Sequence, residues 1–499
     1  MKHQDDEKTS LLNSRPKSEG SVPPNFPIAR AWIVSGVSVV FYMMAAVSLT
    51  PVISQYVVRR LKEAKLNATF LNITDNDVSS LCGNHTNLTE IGRVEQEVQK
   101  EASMLNLYYA LTAGSSAIFI NIFMGPLSDS IGRKKIYLIP MMGVLCKNLI
   151  IMFIVYYNMN LNYIFLAYGI DGLCGSYYAV LVAMFSYSAD ITVPGNSRTI
   201  AIAVLEGCLA IAASLGQLAA GYLIKSTGFF YPMVMVVCIS ALDLVIVFFL
   251  LPETLIVKRK AEKSPLKSIK KVFGFYFTEG SRIKRCAYLT ALGVFFFSVV
   301  TFLGRSSLET IYQLGVPFCW DSIKIGYYGA VRLTTSFICG ILALKILQKF
   351  LREEIISIIS CLSAIAGFLL EGMADTSLLM YLVPVVSLVG AASIPIARSI
   401  LSKMTLPSQQ GALFASIAIV ETVCNSTSNL LYSAVYNATV EYYKGIVWFM
   451  MAGMALIDII FLTAFIWISG KGGDIYPTYE IEVTVNDDSY GGSDKHDIY

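Results

Sequence analysis

The sequence predicts an all-α membrane protein with twelve transmembrane helices in two six-helix halves, and three observations carry this prediction. Hydrophobic residue types make up 55% of the 499 residues and charged types only 15%, whereas soluble chains carry about a quarter charged residues. Twelve continuous apolar segments follow one another, each near the roughly 20 residues that cross a bilayer. A polar, basic gap separates the sixth segment from the seventh.

The apolar segments fall into two equal sets. The first set lies near 29–53, 104–127, 136–157, 162–188, 199–224 and 229–251. The second set lies near 285–311, 322–350, 355–374, 376–402, 411–435 and 445–469. Helices are expected because an isolated segment has to satisfy its own backbone hydrogen bonds in lipid.

The polar stretches between these sets predict the topology. From Lys258 to Arg285 there are ten Lys or Arg residues against Glu262 and Glu279, so the positive-inside rule places this gap in the cytoplasm. The predicted organisation is a cytoplasmic tail at 1–28, a first half at 29–251 with an outer loop at 54–103, a linker at 252–284, a second half at 285–469 and a cytoplasmic tail at 470–499.

Acceptor sequences for N-linked glycans agree with this topology. Four Asn-x-Thr sequences fall in the one long outer loop, and a fifth falls in another predicted outer loop. The predicted glycosylation sites are Asn67, Asn72, Asn84, Asn87 and Asn437.

Most of the ten cysteines lie in apolar segments, where they are expected to be small buried side chains. Only Cys82 and Cys319 fall in predicted outer loops, one in each half. An oxidising compartment would allow them to pair, and two free thiols are the alternative.

The sharpest motif follows the second segment and reads Gly125-Pro-Leu-Ser-Asp129-Ser-Ile-Gly132-Arg133-Lys-Lys135. Gly125 permits close approach of helices, and Gly132 permits a tight turn. Asp129 can accept hydrogen bonds from a helix N-terminus or from Arg133, which would form a conformational latch. The alternative is a basic cytoplasmic loop. The motif resembles the loop signature of the major facilitator superfamily, which implies that fold and a transport function.

Further stretches resemble solute carrier family 46, the family of the proton-coupled folate transporter and its lysosomal relatives. They include residues 312–321, 325–327, 343–345, 398–403 and 410–414. The resemblance implies that the cysteines corresponding to Cys82 and Cys319 are paired, because they are paired in that family.

Ionisable residues inside membrane segments are costly and are functional candidates. Glu206 in the fifth segment and Glu421 in the eleventh are the predicted proton-coupling acids, and the resemblance links the residue matching Glu206 to proton coupling. Arg398, Arg332 and Arg305 are the predicted contacts for a solute, because guanidinium groups pair bidentately with carboxylates. Structural ion pairs, with Glu309 for instance, are the alternative.

Two departures from the family pattern limit the analogy. All three histidines lie outside the segments, so an intramembrane imidazole cannot carry the proton. Where the folate transporter has an aspartate in the fourth segment, this chain has Ser176, which puts folate itself in doubt.

The N-terminal tail contains an acidic dileucine pattern formed by Glu7, Leu11 and Leu12. Clathrin adaptors read such patterns as an endosomal or lysosomal address, although chance matches are common. The location is therefore expected to be the lysosomal or endosomal membrane, or the plasma membrane.

The function predicted from these features is proton-coupled symport of a small organic anion by alternating access. No metal or cofactor other than the proton is expected, and the net charge of +3 gives no field for a nucleic acid. A non-transporting ligand receptor on the same fold is the alternative. An enzyme is not expected, because no metal cluster and no nucleophile–base pair is evident.

Overall fold

The computed structural model describes residues 27–69, 88–191, 196–254, 274, 276–277, 281–405 and 410–471, and these ranges are helical with no strand. The predicted all-α class is therefore confirmed. The sorting residues Glu7, Leu11 and Leu12 lie outside the described residues, as do Asn72, Asn84, Asn87 and Cys82.

The described residues of the N-terminal half form seven helices. They are α1 (Ile28–Thr69), α2 (Leu88–Ile131), α3 (Arg133–Tyr156), α4 (Tyr163–Leu173), α5 (Ser176–Asp190), α6 (Asn196–Thr227) and α7 (Phe230–Leu250). The fourth predicted segment is therefore two helices, because the chain turns at Gly175, which has a φ of 96°. Only glycine adopts this conformation without strain.

The C-terminal half repeats the arrangement with more breaks. Its helices are α8 (Arg282–Leu303), α9 (Arg305–Leu314), α10 (Ser322–Thr334), α11 (Gly340–Leu347), α12 (Glu353–Gly372), α13 (Ser377–Val386), α14 (Ser393–Met404), α15 (Gln410–Thr439) and α16 (Ile446–Lys471). A π-helical segment, Thr335–Cys339, joins α10 to α11. The helices α13 and α14 form one bent segment with an angle of 41°.

Side chains fix several of the helix starts. The carboxylate of Asp321 accepts a hydrogen bond from the Lys324 backbone N–H at 3.0 Å, and Ser281 and Thr376 act in the same way at α8 and α13. Such caps satisfy one of the unpaired N–H groups of the first turn.

Among the described residues, eight helical segments are long and apolar enough to cross a membrane, and the bent α13–α14 pair adds a ninth. The other three predicted segments correspond to α2, α6 and α15, which have 44, 32 and 30 residues. Each exceeds the roughly 20 residues that a span needs. The described helices are consistent with twelve spans.

The two halves meet along these three helices. α6 packs against α10 and α2 packs against α15, so each contact joins the N-terminal to the C-terminal half. These contacts give α2, α6 and α15 neighbours in the opposite half as well as in their own.

Helices extend into two of the predicted outer loops. The predicted outer loop at 54–103 is largely helical, because α1 continues to Thr69 and α2 begins at Leu88. Asn437 lies in the last turn of α15 rather than in a loop, and both atoms of its amide are buried. A glycan at Asn437 would require this amide to become exposed.

Candidate functional site

A charged pair on α14 and α15 lies between the two halves. One guanidinium nitrogen of Arg398 donates to both carboxylate oxygens of Glu421, at 2.9 Å each. The side chains are 30% and 18% exposed. The guanidinium also stacks over Phe295, 5.5 Å from the ring centroid. Arg398 and Glu421 were predicted in separate roles, and the structure brings them together.

Tyrosines of α5 face this pair from the other half. Tyr177 and Tyr178 interact electrostatically with both Glu421 and Arg398. Tyr177 stacks on Tyr42 of α1 with ring centroids 6.2 Å apart. The arrangement places aromatic faces beside a guanidinium, which suits a ring-containing anion.

A second charged pair lies behind these tyrosines in the N-terminal half. Lys147 of α3 donates to Asp171 of α4 at 2.8 Å, and the Ser176 hydroxyl donates to the same carboxylate oxygen at 2.9 Å. Asp171 also interacts electrostatically with Tyr42. The Tyr42–Tyr177 stack therefore stands between one charged pair in each half.

A larger group of charges lies near the break between α8 and α9. Arg305 is 3.1 Å from Glu309 and 2.6 Å from Glu371, and Arg332 is 3.1 Å from Glu309. Arg305 also lies over the rings of Phe368 and Trp448, at 5.4 and 5.5 Å. We call Arg305, Glu309, Arg332 and Glu371 the buried charge cluster.

Arg305 and Arg332, the two predicted solute contacts in this cluster, differ in their access to the space between the halves. Arg332 and Glu309 line a cavity of about 20 Å³ together with Thr50, Pro51 and Gln217 of the N-terminal half. That volume accommodates about one water molecule. Arg305 does not line this cavity, and it is buried between two acids.

The halves close against each other where α6 ends and α10 begins, which is the outer face of the predicted topology. The Ser322 hydroxyl donates to Gln55 at 2.6 Å, and Tyr436 donates to Gln99 at 3.0 Å. A Cβ atom built on Gly221 would lie 2.6 Å from the carbonyl oxygen of Ser322. The close approach of α6 and α10 therefore requires glycine at position 221.

Replacing Gly221 by leucine is expected to hold the outer ends of the halves apart, because the new side chain would overlap the Ser322 backbone. A cysteine introduced by Gln55→Cys reports the opening. Its modification by a membrane-impermeant maleimide should be severalfold faster in Gly221→Leu/Gln55→Cys than in Gln55→Cys alone. Gly36→Leu is the matched control, since nothing lies within 4 Å of a Cβ atom at that position. Equal labelling of the two leucine variants would contradict closure of the halves at the contact between Gly221 and Ser322.

The loop motif joins α2 to α3 through Gly132, which has a φ of 115°. The carboxylate of Glu253, beyond the end of α7, accepts from the backbone N–H groups of Arg133 at 2.8 Å and Lys134 at 3.3 Å. A carboxylate is stabilised at the N-terminus of a helix. The surroundings of Gly125 and the side chain of Asp129 are not among the described features, so the predicted Asp129 latch stays a prediction.

Other predicted residues have the following positions. Cys319 is disulfide-bonded, and eight other cysteines are free thiols; the pairing with Cys82 stays a prediction, because Cys82 is not described. Glu206 lies on α6, but its side chain is outside the described ones. The same holds for Asn67 at the end of α1.

Sequence reasoning missed two features of these sites. Lys147 is a lone lysine in an apolar segment, and it could have been matched with the lone Asp171 of the next segment. Glu371 is an acid in the ninth apolar segment, and it was given no role. The signal for both was an ionisable residue in an apolar segment, which requires a partner.

Comparison with known proteins identifies the family. The Major Facilitator Superfamily profile matches residues 36–428. The chain is 31% identical over 445 residues to the lysosomal proton-coupled steroid conjugate and bile acid symporter of Gallus gallus, covering 88% of this chain and 95% of that protein. It is 26% identical over 384 residues to the proton-coupled folate transporter of Bos taurus, covering 76% and 82%.

Solved structures agree on the fold. The human organic anion transporter MFSD10 superposes with a TM-score of 0.61 at 16% identity, covering 88% of this chain and 100% of that chain. A peptide transporter of the POT family, in an auto-inhibited form, gives 0.59 at 10% identity, covering 89% and 97%. The chain therefore belongs to the major facilitator superfamily and, within it, to solute carrier family 46, whose members are membrane transporters and not enzymes.

Proposed function

We propose that this protein is a proton-coupled symporter of a small organic anion that works by alternating access. The observation that carries the proposal is the Arg398–Glu421 pair, with both carboxylate oxygens on one guanidinium nitrogen. The pair is partly exposed between the halves, where the solute site of such a transporter is expected.

The Arg398–Glu421 pair couples binding of the proton to binding of the anionic solute through charge. While Glu421 is ionised, it occupies Arg398 and competes with an anionic solute for the guanidinium. A proton on Glu421 removes its charge and frees Arg398 for the carboxylate or sulfate of the solute. Each ligand therefore favours binding of the other, and this reciprocity is what symport requires.

The names of the relatives support a ring-containing anion. Two of them are named for steroid conjugates, bile acids or folate. The tyrosines around the pair, Tyr42, Tyr177 and Tyr178, offer faces on which rings can stack. We assign the solute to this class.

Glu206 is proposed as a second proton carrier, on the family resemblance and its position on α6. Glu206→Gln is expected to reduce proton-driven net uptake severalfold while sparing exchange of labelled for unlabelled solute. Exchange does not require the unloaded carrier to release its proton. Equal loss of uptake and exchange would count against this role.

A lysosomal location is supported by the name of the chicken relative and by the dileucine pattern at Leu11 and Leu12. In that membrane a proton gradient would drive solute from the lumen to the cytosol. Adaptor binding through the N-terminal tail, glycans on the outer loop and cytoplasmic termini belong to the same proposal.

Uptake of labelled folate and of a labelled steroid sulfate at pH 5.5 and pH 7.5 tests the proposal. The Leu11→Ala/Leu12→Ala variant is used to bring the protein to the cell surface. Acid-stimulated, saturable uptake of either solute is the expected result. Saturable binding of these solutes by surface-confirmed protein without uptake would favour the receptor alternative.

A further inference from the structure

The buried charge cluster is not needed for the Arg398–Glu421 mechanism, although four ionised groups in the membrane are costly to maintain. Two arginines face two glutamates, so the cluster is neutral when all four residues are ionised. Arg305 and Glu309 are buried, and Glu371 has no exposed surface at all. Neutrality is therefore a condition of its stability.

The two acids of the cluster are held unequally. Glu309 has a guanidinium on each side, from Arg305 at 3.1 Å and from Arg332 at 3.1 Å. Glu371 has only Arg305, at 2.6 Å, and neither of its oxygens receives a hydrogen bond with good geometry from the described residues. If Arg332 left, two buried carboxylates would share one arginine.

Of the four residues in the buried charge cluster, Arg332 has the position from which it can move away from the acids. It lies beside the small cavity between the halves, and the π-helical segment Thr335–Cys339 begins three residues after it. π-helical turns inside helices occur frequently at functional sites. Arg305 and Glu371 do not line the cavity. They are therefore expected to stay buried within the C-terminal half when the two halves move apart.

In the described part of the chain, the charged groups that surround Glu371 are the other three members of the cluster. Glu371 interacts electrostatically with Arg305, Glu309 and Arg332. From the neighbouring helices, Tyr328 of α10 contacts Arg305 at 3.4 Å, and Tyr312 of α9 donates to the backbone carbonyl of Glu371 at 3.4 Å. Phe368 and Trp448 contribute only ring faces.

We propose that Glu309 and Glu371 form a further proton-binding site, which takes up one proton when Arg332 leaves Glu309 for the anionic group of a solute. Without Arg332 the cluster carries two negative charges and one positive charge, and one proton restores neutrality. When Arg332 returns, the cluster is neutral without that proton, which is released. The role of the solute rests on the proposed symport, but the exchange of a proton for an arginine does not.

The test removes Arg332 and therefore needs no solute. Infrared spectroscopy of the purified full-length chain at pH 7.5 measures the carbonyl stretching band of protonated carboxyl groups. Arg332→Gln is expected to add one protonated carboxyl group relative to the native chain. Arg332→Gln/Glu371→Gln and Arg332→Gln/Glu309→Gln should both lack the added band, because each contains one acid and one arginine.

Arg332→Lys is the matched control, since it keeps a cation beside Glu309 and should add no band. A folded Arg332→Gln variant without the added band would overturn the proposal, and so would a band that persists in both double variants. If Arg332→Gln does not fold, Arg332→Gln/Glu371→Gln must restore folding through neutrality. Failure of that double variant to fold would overturn the proposal as well. Transport could still be proton-coupled through Glu421 in each of these cases.

Discussion

Replacing Arg398 by alanine is expected to lower the initial rate of anionic solute uptake at pH 5.5 by about tenfold or more. The variant loses charge-assisted hydrogen bonds, each worth about 1.5–3 kcal/mol, and about 1.4 kcal/mol corresponds to a factor of ten in binding. It also removes the guanidinium that donates to both carboxylate oxygens of Glu421. Uptake is normalised to the amount of protein at the surface.

Two controls make this result specific to the site. Lys403→Ala removes a cation from the same helix, α14, but Lys403 is 55% exposed and pairs with Glu353, so uptake should stay within about twofold, as expected for an exposed ion pair. Arg398→Lys keeps the charge without the planar fork and should retain part of the activity. Native-like uptake by Arg398→Ala would remove this arginine from the solute site.

Replacing Arg305 by alanine is expected to destabilise the protein by about 3–5 kcal/mol, the usual cost of breaking a buried ion pair. Arg305 contacts both Glu309 and Glu371 and lies over two aromatic rings, so its loss leaves acids without compensation and opens a cavity. Thermal unfolding of the purified protein in detergent measures the effect. The loss should be smaller in acid, because protonation removes the uncompensated charge.

The companion variant separates charge from packing. Arg305→Ala/Glu371→Gln restores neutrality and should recover part of the lost stability, while the cavity remains. Arg59→Ala breaks an exposed pair with Glu63 one helical turn away and should cost about 0–1 kcal/mol. If Arg305→Ala unfolds at the same temperature as Arg59→Ala, the cluster does not stabilise the fold.

Much of the fold follows from hydrophobic patterning. A bilayer requires long apolar helices, so the twelve segments and the basic gap between them can be identified from the sequence. Helix breaks are less visible. Gly175 is one of 35 glycines, and only the structure shows that the chain turns there with a positive φ.

The helices outside the apolar segments were missed for a physical reason. The charged ends of α1 and α2 are stabilised by pairs such as Arg59–Glu63 and Lys65–Glu101, and such stretches have no apolar signal. The sequence therefore suggested a loop at 54–103. The same limitation placed Asn437 in a loop, because α15 continues past the last strongly apolar residues.

The ionisable residues of the candidate site could be identified from the sequence more readily than their partners. Every ionisable residue of the two charged pairs and of the buried charge cluster lies in an apolar segment, so the sequence identifies each one as costly to bury. Partners distant in the chain could not be found: Arg305 and Glu371 are on separate helices and meet only after folding. Whether an arginine binds a solute or neutralises an acid depends on that partner.

Solute-driven proton movement tests the central claim most directly. Purified protein is reconstituted in liposomes that contain a pH-sensitive dye, and a steroid sulfate or folate is added outside without a pre-existing pH gradient. The account predicts that the interior acidifies as solute enters, and that this acidification is lost in Glu421→Gln. Entry of the solute through the native protein without any change in internal pH would contradict proton-coupled symport.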